Sequence, residues 1–352
     1  MVVSVEVEIG DSAGRPFPIG QTRAARKGCG MICKPGDCPI GCGPLKPSPP
    51  SPPAESKARV FAKRTASTVG LWVVVTAALA SRWAWAYVAL IGVLVMISTI
   101  EYFRMLKAGG VKCFPRYGVL LAAVYSGALY AMLLGDVDRS LPDRLDGMAI
   151  FAAIAGAFFL QLRYPIRGLE AMQAVASNVL GFIYLAFLFN FAARLVFVVP
   201  GEGEVPGAMV LLWMIAVTKF TDMGAYIVGS MIGRHKMIPH VSPGKTWQGF
   251  GGAIFFALLA GCGLYGWFHG DIDGFATGLH VLGSWPQVIA LSVALALLAV
   301  VGDLAESVVK RSLSVKDSGQ MLPGIGGALD LIDSLCFTAP VLYFYLKWVA
   351  LG

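Results

Sequence analysis

The sequence has little charge for its length. Only 14% of its 352 residues are Asp, Glu, Lys or Arg, whereas 57% are hydrophobic; soluble chains average about 25% charged residues. It also lacks the sustained alternation of apolar and polar residues that marks the strands of a membrane barrel. Together these features exclude an ordinary soluble domain. Apolar runs recur from Thr68 onward, and they predict membrane-spanning helices, because lipid leaves backbone amides no partner outside the helix.

Residues 1–56 lack an apolar core long enough for a signal peptide. The stretch from Cys29 to Pro53 is dense in Gly, Pro, Ser and Cys. Such a segment buries too little apolar surface to offset the entropy lost on ordering. We therefore predict a disordered tail at 1–56 and a membrane-embedded domain at 57–352.

The apolar runs predict an all-α, polytopic bundle of about nine transmembrane helices, with eight as the alternative. The first two runs are short and can also form one bent pair or a single long helix. The predicted spans are 69–81, 84–100, 117–134, 147–162, 172–192, 207–230, 247–268, 288–305 and 328–350.

Charge in the connecting loops predicts the orientation. With the N-terminus inside, the inner loops are rich in Lys and Arg, whereas the outer loops carry few basic residues (Arg82, Arg139, Arg144, Arg194) and several acids. This asymmetry places the loops at 233–246 and 306–327 in the cytoplasm and the protein in the cell inner membrane. The net charge of +7 is thus a topology signal, and we predict no nucleic-acid partner.

Ionisable residues inside the spans are the first candidates for a functional site, because they are costly in lipid. They occur in three groups, and within each group the spacing places the side chains on one helix face. All three groups fall at the inner ends of spans. The alternative is that these acids only pair with Lys or Arg and lock helices together. The groups are Lys219 with Asp222; Asp303 with Glu306 and Lys310; and Asp330 with Asp333.

Two adjacent loops, Ser242–Thr246 and Lys316–Gly327, combine small residues with lysines. Backbone amides and cations of this kind suit phosphate groups, although each loop alone is also compatible with an ordinary glycine-rich turn. Carboxylates beside phosphates favour Mg²⁺, a hard cation held by oxygen ligands. Phosphoryl or nucleotidyl chemistry on a lipid is the leading interpretation.

Four ordered segments within about 110 residues resemble one family. The first is Asp222–Tyr226 together with Gly229, the second is Ser242–Gly249 and the third is Gly302–Ser307. The fourth is the series of motifs from Ser307 to Asp333. Together they resemble the signature of phosphatidate cytidylyltransferases, the CDP-diacylglycerol synthases. The other spans agree with that family only in hydrophobicity and number.

The resemblance implies a reaction of phospholipid biosynthesis in which CTP and phosphatidate give CDP-diacylglycerol and pyrophosphate. It also implies Mg²⁺ as the cofactor, membrane lipids around the protein, and a homodimer. It implies catalytic roles for Asp303, Asp330, Lys245 and Lys310. The two aspartates among them would hold the metal. It implies substrate phosphate contacts from Ser242, Thr246, Arg311, Lys316, Asp317, Gly326 and Gly327. Asp222, Glu306 and Asp333 would line the same polar cavity.

Three positions depart from the family pattern. Ile325 stands where the family has His, Leu331 where it usually has Arg, and Gly244 where it usually has Lys or Asn. Each departure removes a polar group, so a divergent or weakly active paralogue acting on another lipid phosphate is one alternative. A relative of polyprenol or phytol kinases is a second. A third is a transporter of an anionic solute, for which inverted repeats are expected; the sequence offers no convincing repeat.

Overall fold

A computed structural model describes residues 83–135, 141–198, 207–268, 279–315, 318–319 and 327–350, together with Gly70, Val73, Ala77 and Ala78. Within these residues the chain forms eight long helices and one short hairpin. The helices are α1 (Ala84–Ala108), α2 (Pro115–Leu134), α3 (Leu141–Gln161), α4 (Glu170–Val198), α5 (Gly207–Ile232), α6 (Trp247–Phe268), α7 (Trp285–Ser312) and α8 (Leu329–Tyr345). A 3-10 turn, Leu279–Leu282, precedes α7, and a π-helical turn, Leu346–Ala350, follows α8.

Seven of the described helices are long and apolar enough to cross a membrane, and α3 adds an eighth helix of 21 residues. The predicted multi-pass, all-α membrane fold is therefore confirmed. Most of the first predicted span, 69–81, lies outside the described residues, and its four described positions are helical. The predicted tail at 1–56 also lies outside them, so its disorder and the domain boundary stay predictions.

Several helices extend beyond the apolar runs that predicted them. Helix α1 continues through polar residues to Ala108, where the Gly109 amide bonds the carbonyl of Met105. Helix α7 starts earlier than predicted, at a capping box between Ser284 and Gln287. Hydropathy locates the lipid-facing centre of a helix, whereas caps and backbone hydrogen bonds set its ends. Helix α4 also contains a π-helical segment, Phe182–Phe187, that hydropathy does not register.

Helices α5, α6, α7 and α8 pack together as one group. Glycines let two of their pairs approach closely. A Cβ atom at Gly224 of α5 would lie 2.5 Å from the Gly252 carbonyl of α6, and one at Gly302 of α7 would lie 2.7 Å from the Asp333 carbonyl of α8. Small residues at such crossings bring helix backbones together. The glycine positions therefore draw the acid-bearing ends of these helices toward each other.

A cluster of charged residues lies near the C-terminal end of α8, away from Asp330 and Asp333 at its start. Arg194 is 2% exposed and pairs with Asp146 at 2.5 Å and Asp143 at 3.5 Å, while Lys347 lies 2.8 Å from Asp143. The sequence predicted that Arg194 and Arg144 lie in outer loops. The loop assignment is wrong, because the structure has them inside helices α4 and α3; the outer side stays a prediction. Here the helix-locking interpretation of charged residues fits, because the ion pairs join three helices.

Candidate functional site

Five carboxylates gather where α5, α7 and α8 meet. Asp222 lies in the second half of α5, Asp303 and Glu306 on α7, and Asp330 and Asp333 at the start of α8. Oxygen atoms of Asp303, Glu306 and Asp333 all lie within 4.8 Å of one another. The sequence predicted that the three groups share one depth, and the structure places them in one cluster.

Two of the predicted catalytic lysines connect the acids. Lys245 Nζ lies 2.7 Å from Asp303 and donates to the Val300 carbonyl at 3.2 Å. Lys310 Nζ lies 2.7 Å from Glu306 and 3.0 Å from Asp330, so one ammonium bridges α7 and α8. Glu306 is only 2% exposed. A carboxylate this buried requires a nearby cation, because an isolated buried charge is strongly destabilising.

The segment that delivers Lys245 is a β-hairpin, whereas the sequence predicted a loop at 233–246. Strand β1 (Lys236–Ile238) pairs antiparallel with β2 (Ser242–Thr246), with Lys236 opposite Thr246 and Ile238 opposite Ser242. A Ser-Pro-Gly sequence is typical of turns, and only the partner strand makes this stretch extended. The hairpin fixes Lys245 at one end of the cluster.

The hairpin is joined firmly to α6. Thr246 Oγ1 accepts a hydrogen bond from the Gly249 amide at 3.1 Å, which is an N-cap contact. Gln248 Oε1 accepts from the amides of Arg234 and His235, each at 3.2 Å. Thr246, predicted to contact phosphate, is buried and lines the cavity described next; its observed hydrogen bond is the helix cap.

A cavity of about 640 Å³ opens at this cluster. Its wall includes Asp222, Asp303, Asp330 and Asp333, together with hairpin residues such as Ser242 and Lys245. Apolar side chains, among them Tyr226 and Phe250, complete the lining. The mixture of charged groups and an apolar wall suits a ligand that has both an anionic head and a hydrocarbon part.

The acid group is chemically suited to a divalent cation. Its donors are all carboxylate oxygens, and Glu306 Oε1 is a buried atom with no hydrogen-bond partner among the described residues. Oxygen ligands of this kind hold Mg²⁺ or Ca²⁺. The close group is Asp303, Glu306 and Asp333, whereas the sequence predicted Asp303 with Asp330. Asp330 instead accepts from Lys310 and, at 3.1 Å, from the Gly327 amide.

The remaining predicted phosphate contacts fall into two sets. Arg311 is exposed and its Nε donates to the Val241 carbonyl at 3.4 Å, which links α7 to the hairpin. Gly327 lies at the start of α8 beside Asp330. Lys316, Asp317 and Gly326 lie outside the described residues, so their roles stay predictions.

Glu101 of α1 contributes more than the sequence indicated. It is 1% exposed and accepts the Leu329 amide at 3.1 Å, across 228 positions of the chain. A Cβ atom at Gly319 would lie 2.6 Å from Glu101 Oε1, and one at Gly327 would lie 2.8 Å from Oε2. In the sequence Glu101 directly follows the predicted span 84–100, where an acid at an ordinary helix end is an equally good explanation. Glu101 anchors the segment that carries Asp330.

We expect Glu101→Leu to destabilise the protein by about 1–3 kcal/mol, because the buried Leu329 amide loses its acceptor. Glu101→Gln is the matched control, since its side-chain oxygen still accepts this hydrogen bond. Thermal unfolding of the detergent-solubilised protein measures both. Equal melting temperatures for the two variants would contradict the anchoring role.

Comparison with known sequences decides the family. The profile of the Cytidylyltransferase family matches residues 62–349. The chain belongs to this family. The match covers every described helix from α1 to α8, and the predicted family is thereby confirmed.

Relatives of this cytidylyltransferase include proteins of named activity. The phosphatidate cytidylyltransferase of Bacillus subtilis is 31% identical over 207 residues, 57% of this chain and 70% of that protein. The phosphatidate cytidylyltransferase of Synechocystis is 28% identical over 292 residues, 74% of this chain and 88% of that protein. Protein YnbB of Escherichia coli, described as uncharacterized, is 32% identical over 201 residues, 56% of this chain and 63% of YnbB.

Proposed function

We propose that this cytidylyltransferase transfers the cytidylyl group of CTP to phosphatidate, giving CDP-diacylglycerol and pyrophosphate. The observation that carries the proposal is the cavity lined by Lys245 and by aspartates of α5, α7 and α8, next to which Lys310 bridges Glu306 and Asp330. Two relatives, each matched by this chain over most of the relative's length, are named phosphatidate cytidylyltransferases. The predicted enzyme class agrees with both lines of support.

The site faces the cytoplasm in this proposal. The hairpin and the inner ends of α5 and α7 carry basic residues, among them Arg234, Lys236 and Arg311, and basic loops stay on the cytoplasmic side of a membrane. We propose the inner, cytoplasmic membrane of the cell as the location of the protein. CTP would enter from water past the hairpin, while phosphatidate would enter sideways from the lipid.

The chemistry joins two anions. An oxygen of the phosphatidate phosphate attacks the α-phosphorus of CTP, and the bond from that phosphorus to the bridging oxygen of the β-phosphate breaks as pyrophosphate leaves. The attacking phosphate is already ionised near neutral pH and needs little activation. The protein's tasks are in-line positioning and stabilisation of negative charge. In this proposal Lys245 and Lys310, which contact different acids of the cluster, bind phosphate oxygens.

A divalent metal, Mg²⁺ in our proposal, would be held by Asp303 together with Glu306 and Asp333, with Asp330 adjacent. The donor set supports this assignment: the cluster has five carboxylates but only three ammonium groups, those of Lys219, Lys245 and Lys310, so carboxylate oxygens remain for a metal ion. When bound, such an ion neutralises charge on phosphate oxygens during transfer. The homodimer implied by the resemblance stays a prediction.

The test is an assay of the purified protein in lipid micelles with phosphatidate, Mg²⁺ and radiolabelled CTP. We expect labelled CDP-diacylglycerol, loss of product when EDTA removes the metal, and recovery when Mg²⁺ is restored. Dolichol and phytol replace phosphatidate in parallel reactions, since they would detect a lipid kinase. Binding of both substrates without CDP-diacylglycerol formation would refute the proposed activity.

A further inference from the structure

Lys219 places an ammonium group within the membrane-spanning helix α5, three residues before Asp222. Its Nζ donates to the Leu331 carbonyl of α8 at 3.0 Å and lies 3.9 Å from Asp222 Oδ2. A lysine inside a membrane span is costly and marks a functional position by default. The resemblance to the family did not assign a role to this residue.

Lys219 is held less tightly than the other two lysines of the cluster. An ammonium has three donors; the Leu331 carbonyl takes one, and 3.9 Å to Asp222 is too long for a hydrogen bond. Lys245 and Lys310 each contact a carboxylate at 2.7 Å. The Lys219 side chain is also 29% exposed, against 18% and 16% for those two. It therefore keeps donor capacity and access for an incoming anion.

Lys219 lies on a face of α5 whose apolar side chains are exposed on the protein. Lys219, Met223 and Tyr226 are spaced i, i+4 and i+7, which places them in one stripe. Met223 is 40% exposed and Tyr226 76% exposed, and Tyr226 also lines the cavity. The ammonium thus lies on the stripe of α5 that leads through Met223 to Tyr226 at the cavity. In the proposed function CTP enters past the hairpin and phosphatidate enters from the lipid, so we assign an anion at this apolar stripe to the lipid substrate.

We propose that Lys219 binds the phosphate of the lipid substrate. It supplies a cation from α5 next to the backbone of Leu331 in α8, where the family pattern described under the sequence analysis usually has Arg. The contact between Lys219 Nζ and the Leu331 carbonyl places the ammonium beside that position. This assignment rests on the proposed function and adds a specificity-determining residue to it.

The test compares Lys219→Met, Lys219→Arg and the double variant Lys219→Met with Leu331→Arg in the micelle assay. We expect Lys219→Met to raise the KM for phosphatidate about tenfold or more, because a charge-assisted hydrogen bond is lost, and to leave the KM for CTP unchanged. Lys219→Arg keeps the cation and should retain most of the affinity. Leu331→Arg in the Lys219→Met background should restore the KM for phosphatidate.

The matched control is Lys347→Met, which removes a lysine from an ion pair with Asp143 at the opposite end of α8. It should leave both KM values at wild-type levels. An unchanged KM for phosphatidate in Lys219→Met, an equal rise in the KM for CTP, or no recovery in the double variant would each overturn the inference. An inactive wild-type protein would instead refute the proposed function, so the two failures are distinguishable.

Discussion

Asp303→Asn and Asp330→Asn should each reduce turnover by about 10³-fold, the scale expected when a preorganised charge is removed from a reacting centre. Asp303 loses its ionic contact to Lys245 at 2.7 Å and its charge within the acid group. Asp330 loses its ionic contact to Lys310 at 3.0 Å. Both changes preserve side-chain shape, so the variants should still insert and fold. Initial rates of CDP-diacylglycerol formation measure the effect.

Asp143→Asn is the control for these two variants. It also neutralises a carboxylate that pairs with a lysine and an arginine, but at the end of α8 remote from the cavity. Its turnover should match wild type. Gel filtration in detergent confirms that all three variants are folded to the same extent. Wild-type turnover in Asp303→Asn or Asp330→Asn would refute the catalytic assignment of that residue.

Lys310→Met should lose both stability and turnover. Without the ammonium, the carboxylate of Glu306 stays buried with no cation at 2.7 Å, and breaking a buried ion pair costs about 3–5 kcal/mol. Adding Glu306→Gln removes the unpaired charge. The double variant should therefore regain most of the melting temperature and still show greatly reduced turnover, because the phosphate-binding cation is gone.

Glu306→Gln alone is the reference for this pair of measurements. It keeps Lys310 beside Asp330 and should turn over faster than the double variant. Equal turnover in Glu306→Gln and the double variant would mean that Lys310 only neutralises Glu306. Thermal unfolding and initial rates on the same preparations separate the two roles.

The sequence predicted the positions of the acids well, for a specific physical reason. Asp303 and Glu306, like Asp330 and Asp333, are three residues apart, so helical geometry alone places each pair on one face. The charge asymmetry of the loops placed all of them at one membrane depth. What helical geometry leaves open is which lysine contacts which acid. Lys310 bridges two helices and Lys245 comes from a third element, and tertiary packing decides both.

Two other features were beyond sequence reasoning. The extended conformation of Ser242–Thr246 depends on its pairing with Lys236–Ile238, whereas its Pro and Gly suggest a turn by themselves. The role of Glu101 depends on a contact with Leu329 made across most of the chain. Local patterns contain no information about such pairings. Helix ends were misplaced because capping, as at Ser284, is independent of hydropathy.

The ion pair between Lys310 and Glu306 bears on how the protein is made. The two residues are four positions apart on α7, so their charges can neutralise each other as soon as that helix forms. Asp330 belongs to α8, which the ribosome delivers later. Helix α7 can therefore leave the translocon with its buried acid already compensated, before its last partner has been synthesised. Biogenesis would then need no chaperone to shield that charge while α8 is awaited.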